Sequence, residues 1–285
     1  MPQPVRIDSH VHFWRYSPEA YPWIDDTMSL LKRDYLPPEL EPLMRAAGFD
    51  ACIAVQATHT IEETEWLLSL AGEYPFIAGV VGWVDLRSPT VERELERLAA
   101  HPKAVGIRHI AQSEPDDFLL HPDFQRGIAQ LERFDLAYDL LVYTRQLPAA
   151  TKLVRRFPRQ RFVLDHAGKP EVRARKLEPW ATHLRELARS DNVACKLSGL
   201  ATEADWRSWT PEDLEPFANV TFEAFGSDRV LLGSDWPVCT LAGEYRLAAS
   251  IAFRRSEIGT RPGAMHESGS YRFDRSYVRI PRSST

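Results

Sequence analysis

VRIDSHVHFW, residues 5–14, starts as an apolar, β-branched run and ends in His-x-His followed by two aromatics. No glycine-rich phosphate loop follows it, which disfavours an open doubly wound sheet, whose first strand feeds such a loop. Seven more short apolar runs recur downstream, at 50–56, 77–84, 104–110, 137–142, 161–165, 193–200 and 229–235. Most are nearly continuous in apolar character, as parallel strands covered on both faces must be. Helical patterns fall between them, at 38–47, 61–73, 90–100, 122–134, 146–157, 173–190 and 211–225. Pro211 opens one of these, and Gly48 and Gly226 close others, the usual asymmetry of helix ends. Eight strands alternating with helices predict an α/β fold, a (β/α)8 TIM-type barrel over residues 1–253. The eighth helix has to come from about 242–253. Residues 254–285 hold seven arginines against three acidic side chains with little apolar periodicity. They read as a divergent basic tail that leaves the eighth helix incomplete or divergent.

Composition narrows the function classes. The 285 residues are 44% hydrophobic and 26% charged, with a net charge of -5. That balance argues against a nucleic-acid binder. No run of about 18 apolar residues predicts a membrane span, and no apolar segment near the N-terminus suggests a secretory signal. Cys52, Cys195 and Cys239 are odd in number and widely spaced, so buried reduced thiols and a cytoplasmic location are expected. A small-molecule partner is expected, and a homo-oligomer stays open.

In a barrel the chemistry sits at the C-terminal ends of the strands. Those ends carry His10 and His12, Arg108 and His109, Asp139, Asp165 and His166, Lys196 and Ser198, and Asp235, with Lys169 just beyond strand six. Residues two apart on a strand share a face, so His10 and His12 can converge on one point. An isolated His-x-His is more often polar packing than a metal site. Adding His166 and Asp235 on the same rim strengthens the metal reading, because buried ionisable groups cost free energy unless paired or ligated. Imidazole nitrogen and carboxylate oxygen suit zinc and similar ions.

The blocks IDSHVHFW (7–14), GIRHIAQSEPDDFL (106–119), AYDLL (137–141), QLP (146–148) and FVLDHAGKP (162–170) resemble the amidohydrolase superfamily. With NVACKLSGLATEADW (192–206) and LLGSDWPVC (231–239), the resemblance is closer to its sugar-lactonase branch, of L-fuconolactonase and L-rhamnonolactonase type, over roughly residues 5–250. It implies a barrel hydrolase that opens an aldonic-acid lactone. In the superfamily, strand-one His-x-His, histidines on strands five and six and a strand-eight Asp surround one or two metals, with a strand-four Lys or Glu bridging two. Here strand four offers Arg108 and His109, and strand five offers Asp139, a departure that disfavours two metals. The resemblance leaves His10, His12, His166 and Asp235 for one divalent ion, zinc being the expected one. Relatives that resemble metal-independent lactonases leave its need open. The segment after Arg254 also departs from the helical ending of the family.

On this reading Asp235 is the general base toward the attacking water, with His10, His12 and His166 as its catalytic partners. A bound ion would acidify the water and polarise the carbonyl. Arg108, His109, Asp139, Lys169 and Lys196 are candidates to hold substrate oxygens, with salt bridges to Asp139 or Glu203 as the plain alternative for the cations. Trp14, Trp83, Trp206 and Trp236 fall near the rim, where a single tryptophan is more often a packing residue; Trp14 and Trp236 are the candidate aromatic faces for a sugar-derived ring. Glu114, Asp116 and Asp117 read as a solvated acidic loop. The alternatives are a metal-dependent non-oxidative decarboxylase on the same rim and a catalytically impaired barrel.

Overall fold

The structure, a computed structural model, describes residues 5–246. Eight parallel strands follow one another in sequence order: β1 Ile7–Val11, β2 Ala51–Val55, β3 Ile77–Gly82, β4 Ala104–His109, β5 Ala137–Leu140, β6 Phe162–Leu164, β7 Val193–Leu197 and β8 Val230–Leu232. The chain beyond β8 returns to β1: Asp235 N–H donates to His10 O at 2.9 Å and His12 N–H to Trp236 O at 2.6 Å. Buried Asp8 reinforces that seam, accepting from Ser234 N–H (2.9 Å) and the Tyr245 hydroxyl (2.7 Å). These contacts bring the sheet round into a (β/α)8 barrel.

Among the described residues seven α-helices cover the outside: α1 Pro37–Ala46, α2 Ile61–Glu73, α3 Val91–Ala99, α4 Pro122–Leu131, α5 Leu147–Arg156, α6 Trp180–Ala188 and α7 Pro211–Phe225. In α3 the buried side chains are Val91, Leu95 and Leu98, the i, i+4, i+7 stripe that faces the sheet. Each fully buried chain of that kind contributes roughly 1.5–3 kcal/mol. Thr210 and Asp213 cap α7 reciprocally, and Gly226 ends it at φ +69°. The helix expected over 173–190 is shorter. It begins only at Trp180, because Pro179 lacks an N–H and restricts the residue before it. The expected eighth helix lies mostly outside the described residues, as does the expected tail. No helix among the described residues is long and apolar enough to cross a membrane.

Inside the barrel two small apolar clusters make a floor. Ile7, Ala51, Ile53, Val55, Val81 and Val105 form one, and Val163, Ala194 and Leu231 the other. Two residues further along the chain, Asp165, just past the end of β6, follows Val163, and Lys196, on the same face of β7, follows Ala194. The apolar floor thus gives way to a charged layer just below the mouth.

Strand β1 joins that layer through a bulge. Ile7 and Asp8 pair with Ala51 and Cys52, but Val11 pairs with Ala54, so β1 holds one extra residue. Ile7 and His10, an odd number apart, therefore both reach the interior.

Candidate active site

The charged layer is a closed set of partners. The Lys196 ammonium bonds Asp139 Oδ2, lies 2.9 Å from Asp165 Oδ1 and sits 3.3 Å from His10 Nδ1. The Arg108 guanidinium donates to Asp165 Oδ2 at 3.0 Å and to the Gln56 carbonyl, and lies 3.3 Å from His10 Nε2. All of these side chains are buried. Burial alone would lower the Lys196 ammonium, but Asp139 and Asp165 outweigh it and push it above its ordinary value. Burial would likewise raise Asp165, but Lys196, His10 and Arg108 hold it well below the carboxylate range. Two cations against two carboxylates leave this layer balanced.

Above it, His10, His12, His166 and Asp235 converge. His12 donates Nδ1–H to Val55 O at 2.8 Å, the only polarity a carbonyl allows, so its Nε2 presents a lone pair inward. That Nε2 is 3.1 Å from His10 Nε2 and 3.4 Å from Asp235 Oδ1. His166 Nδ1 is 2.9 Å from the Ser198 hydroxyl, and its Nε2 is 3.9 Å from Asp235 Oδ1. Both His166 (φ +52°) and Asp235 (φ +62°) are in the left-handed region, which turns them off their strands into the mouth. Gly199 leaves His166 its space: a Cβ there would come within 2.7 Å of His166 Nδ1.

The charge states follow from burial. It holds His10 well below its ordinary value and pushes His166 down to about 4, in each case against a nearby carboxylate. Burial would raise Asp235, but His166, His12 and His10 outweigh it and hold the carboxyl well below its ordinary range. Near neutral pH the site therefore holds an ionised Asp235 carboxylate beside the neutral imidazoles of His10 and His166.

A cavity of about 630 Å³ opens directly onto this group, within the range of small-ligand pockets. His12, His166, Asp235, Arg108 and Lys169 all line it. Lys169 is tied to Glu203 at 3.0 Å and lies over the Tyr143 ring. The other expected substrate-binding residues do not line the cavity. Lys196 and Asp139 are locked together in the layer beneath. His109 lies behind the wall, taking the Trp83 indole N–H on Nδ1 (3.2 Å) and donating from Nε2 to Glu114 (3.0 Å). Trp14 and Trp236 are buried in an aromatic cluster with Tyr35, at 5.4 and 5.3 Å between ring centres. Their indoles pack on neighbouring rings because the strand-one and strand-eight loops fold over them, so they support the wall instead of forming it. Trp206 lines the cavity as expected near the rim, while Trp83 does not. The acidic loop is tethered: Glu114 to His109, Asp116 to Arg145 at 2.7 Å and Asp117 to His121 at 3.7 Å.

Sequence reading missed Trp23, His59 and Tyr143, which line the cavity. His59 is the first ionisable residue after β2, so inspecting that strand end alongside the others would have found it. Glu63 was also missed; its Oε2 accepts Ala57 N–H (3.0 Å) and Thr58 N–H (2.9 Å), pinning the turn that carries His59.

The donor set suits a divalent cation. Ligand atoms of His10, His166 and Asp235 all lie within 4.8 Å of one another. The inward Nε2 lone pair of His12 faces another imidazole nitrogen and a carboxylate oxygen, an electron-rich juxtaposition that a shared cation relieves.

The amidohydrolase family profile matches residues 7–257. An L-fucono-1,5-lactonase of Burkholderia multivorans is 46% identical over 264 residues, covering 89% of each chain. Crystal structures of a Burkholderia multivorans amidohydrolase superpose closely. The one with bound HEPES has a TM-score of 0.86 at 44% identity, covering 90% of this chain and 93% of that one. The one with bound zinc has a TM-score of 0.84 at 45% identity with the same coverage.

Proposed function

Since this chain belongs to the amidohydrolase family, we propose that it hydrolyses the lactone ring of a sugar acid, with L-fucono-1,5-lactone the first compound to try. The observation that carries this reading is Asp235, an ionised buried carboxylate among three imidazoles that lines a cavity suited to one small sugar lactone. Water attacks the lactone carbonyl carbon, and Asp235 takes the proton it releases. The ring C–O bond breaks, and Asp235 passes that proton to the departing ring oxygen, leaving the hydroxy acid. Arg108 and Lys169 are the cations on the cavity wall and are assigned to the carbonyl oxygen and neighbouring hydroxyls. Lys196 and Asp139 act from below by fixing His10.

His10, His12, His166 and Asp235 would hold one divalent ion, with zinc in a close relative supporting that choice. When bound, such an ion lowers the pKa of water and polarises a carbonyl, which would compensate for a carboxylate as weakly basic as Asp235. Arg108 and Lys196 flank His10 on its remaining sides, so a second ion has no free carboxylate there. We also place the protein in the cytoplasm, because Cys52, Cys195 and Cys239 are buried free thiols. The division into a barrel up to residue 253 and a basic tail remains part of this proposal.

The test is a panel of aldono-1,4- and 1,5-lactones followed with a pH indicator. Ring opening with proton release, fastest among sugar lactones, is expected. No opening above the buffer rate across the panel, or release of CO2 from an aromatic acid instead, would overturn the reading.

A further inference from the structure

His59 stands apart from the group that performs the hydrolysis, yet it lines the same cavity. It follows β2 in a turn held from both sides: Glu63 takes Ala57 and Thr58 N–H, and the Trp23 indole N–H donates to Ala57 O at 3.0 Å. The ring itself is clamped. It stacks on His109 at 4.1 Å (27° between planes) and on Trp83 at 5.4 Å (17°). His109 cannot turn away, since Trp83 and Glu114 hold its two nitrogens.

One hydrogen bond decides the tautomer. Ile110 N–H donates to His59 Nε2 at 2.8 Å. A nitrogen that accepts carries no proton, so the proton of the neutral ring is on Nδ1. Burial, with His109 and Arg108 nearby, pushes His59 down to about 4, so the ring stays neutral at ordinary pH. Nδ1–H has no protein acceptor among the described residues. A half-buried donor of fixed direction, with no protein acceptor, on the wall of a ligand cavity asks for an acceptor from the ligand.

Resting on the lactonase reading above, we propose that His59 is a specificity-determining residue that donates Nδ1–H to a hydroxyl oxygen of the sugar lactone. It selects hydroxylated lactones over bare ones and takes no part in moving the reaction's protons.

Two replacements separate the two ring nitrogens. His59→Gln reaches toward the Nε2 position, where its amide oxygen can still accept Ile110 N–H, but it removes the Nδ1 donor. His59→Asn puts an amide N–H near the Nδ1 position and gives up the Ile110 bond. The readout is kcat/KM for L-fucono-1,5-lactone divided by kcat/KM for unsubstituted δ-valerolactone, alongside the melting temperature. The proposal expects the ratio to fall about tenfold in His59→Gln, the worth of one neutral hydrogen bond, with melting unchanged, and to stay within about threefold of wild type in His59→Asn. An active His59→Gln protein with the wild-type ratio overturns the assignment, as does an equal loss on both lactones. Failure of the wild-type protein to open either lactone overturns the lactonase reading first, and the role of His59 with it.

Discussion

Replacing Lys196 with Met should destabilise the protein more than almost any other single change to the barrel interior. The methionine fills similar volume, so packing is not the main loss. What is lost is, among the described residues, the ammonium that pairs with Asp139 and one of the two Lys/Arg cations serving Asp165. Breaking a buried pair from one side leaves an uncompensated charge, a loss of about 3–5 kcal/mol at pH 7. The pH dependence has a definite sign. Asp139 is already pushed up to about 6 by burial, against the pull of Lys196. Without Lys196 its folded value rises further above its unfolded value. A carboxyl raised by folding loses stability as pH climbs through the interval between the two values. The deficit of Lys196→Met should therefore be smaller at pH 5 than at pH 8. Adding Asp139→Asn to it removes the orphaned charge, so the double variant should be more stable than the single one at pH 8. Urea unfolding followed by tryptophan fluorescence measures all three proteins. A loss under about 1 kcal/mol for Lys196→Met, or a double variant less stable than the single, would show that Lys196 does not neutralise Asp139 in the fold.

Two further outcomes are expected. Glu63 is pushed up from its ordinary value of 4.5 to about 7 by burial, against the Thr58 and Ala57 N–H groups. Its ionisation therefore costs the folded state about 3 kcal/mol between pH 4.5 and 7, and Glu63→Gln should flatten that part of the stability profile; parallel profiles for the two proteins would contradict this. Gly199→Ala should lower kcat/KM at least tenfold and cost about 1–3 kcal/mol of stability, because its Cβ would strike the His166 ring from a backbone at φ +65°; unchanged kinetics would show that His166 tolerates displacement.

How much of this was legible in the sequence depends on the feature. The strands are apolar runs covered on both faces, so their number and order can be read directly, and with them the barrel. His10, His12, His166 and Asp235 could be grouped because a parallel barrel brings strand ends to one rim. The face of His10 was a different matter. Period-two reasoning puts Ile7 and His10 on opposite sides, and only the β1 bulge brings both inside. His166 and Asp235 owe their direction to left-handed backbone at non-glycine residues, which local propensity does not announce. Trp14 and Trp236 take the packing alternative. An aromatic beside a catalytic histidine suggests a substrate platform, but indoles this large pack on each other when the loops allow it. The pairing of Lys196 with Asp139 was open to the sequence only as the plain alternative to a substrate role, because choosing between the two needs the contact of residues 57 positions apart.

The central claim is that Asp235 is the proton-transferring base of a lactone hydrolysis. The most direct test compares wild-type and Asp235→Asn protein in the opening of L-fucono-1,5-lactone, both assayed with added zinc. Rapid opening by the wild type is expected, with a loss of at least a thousandfold, about 4 kcal/mol in barrier, in the variant and its fold retained. An Asp235→Asn enzyme within tenfold of wild type would contradict it.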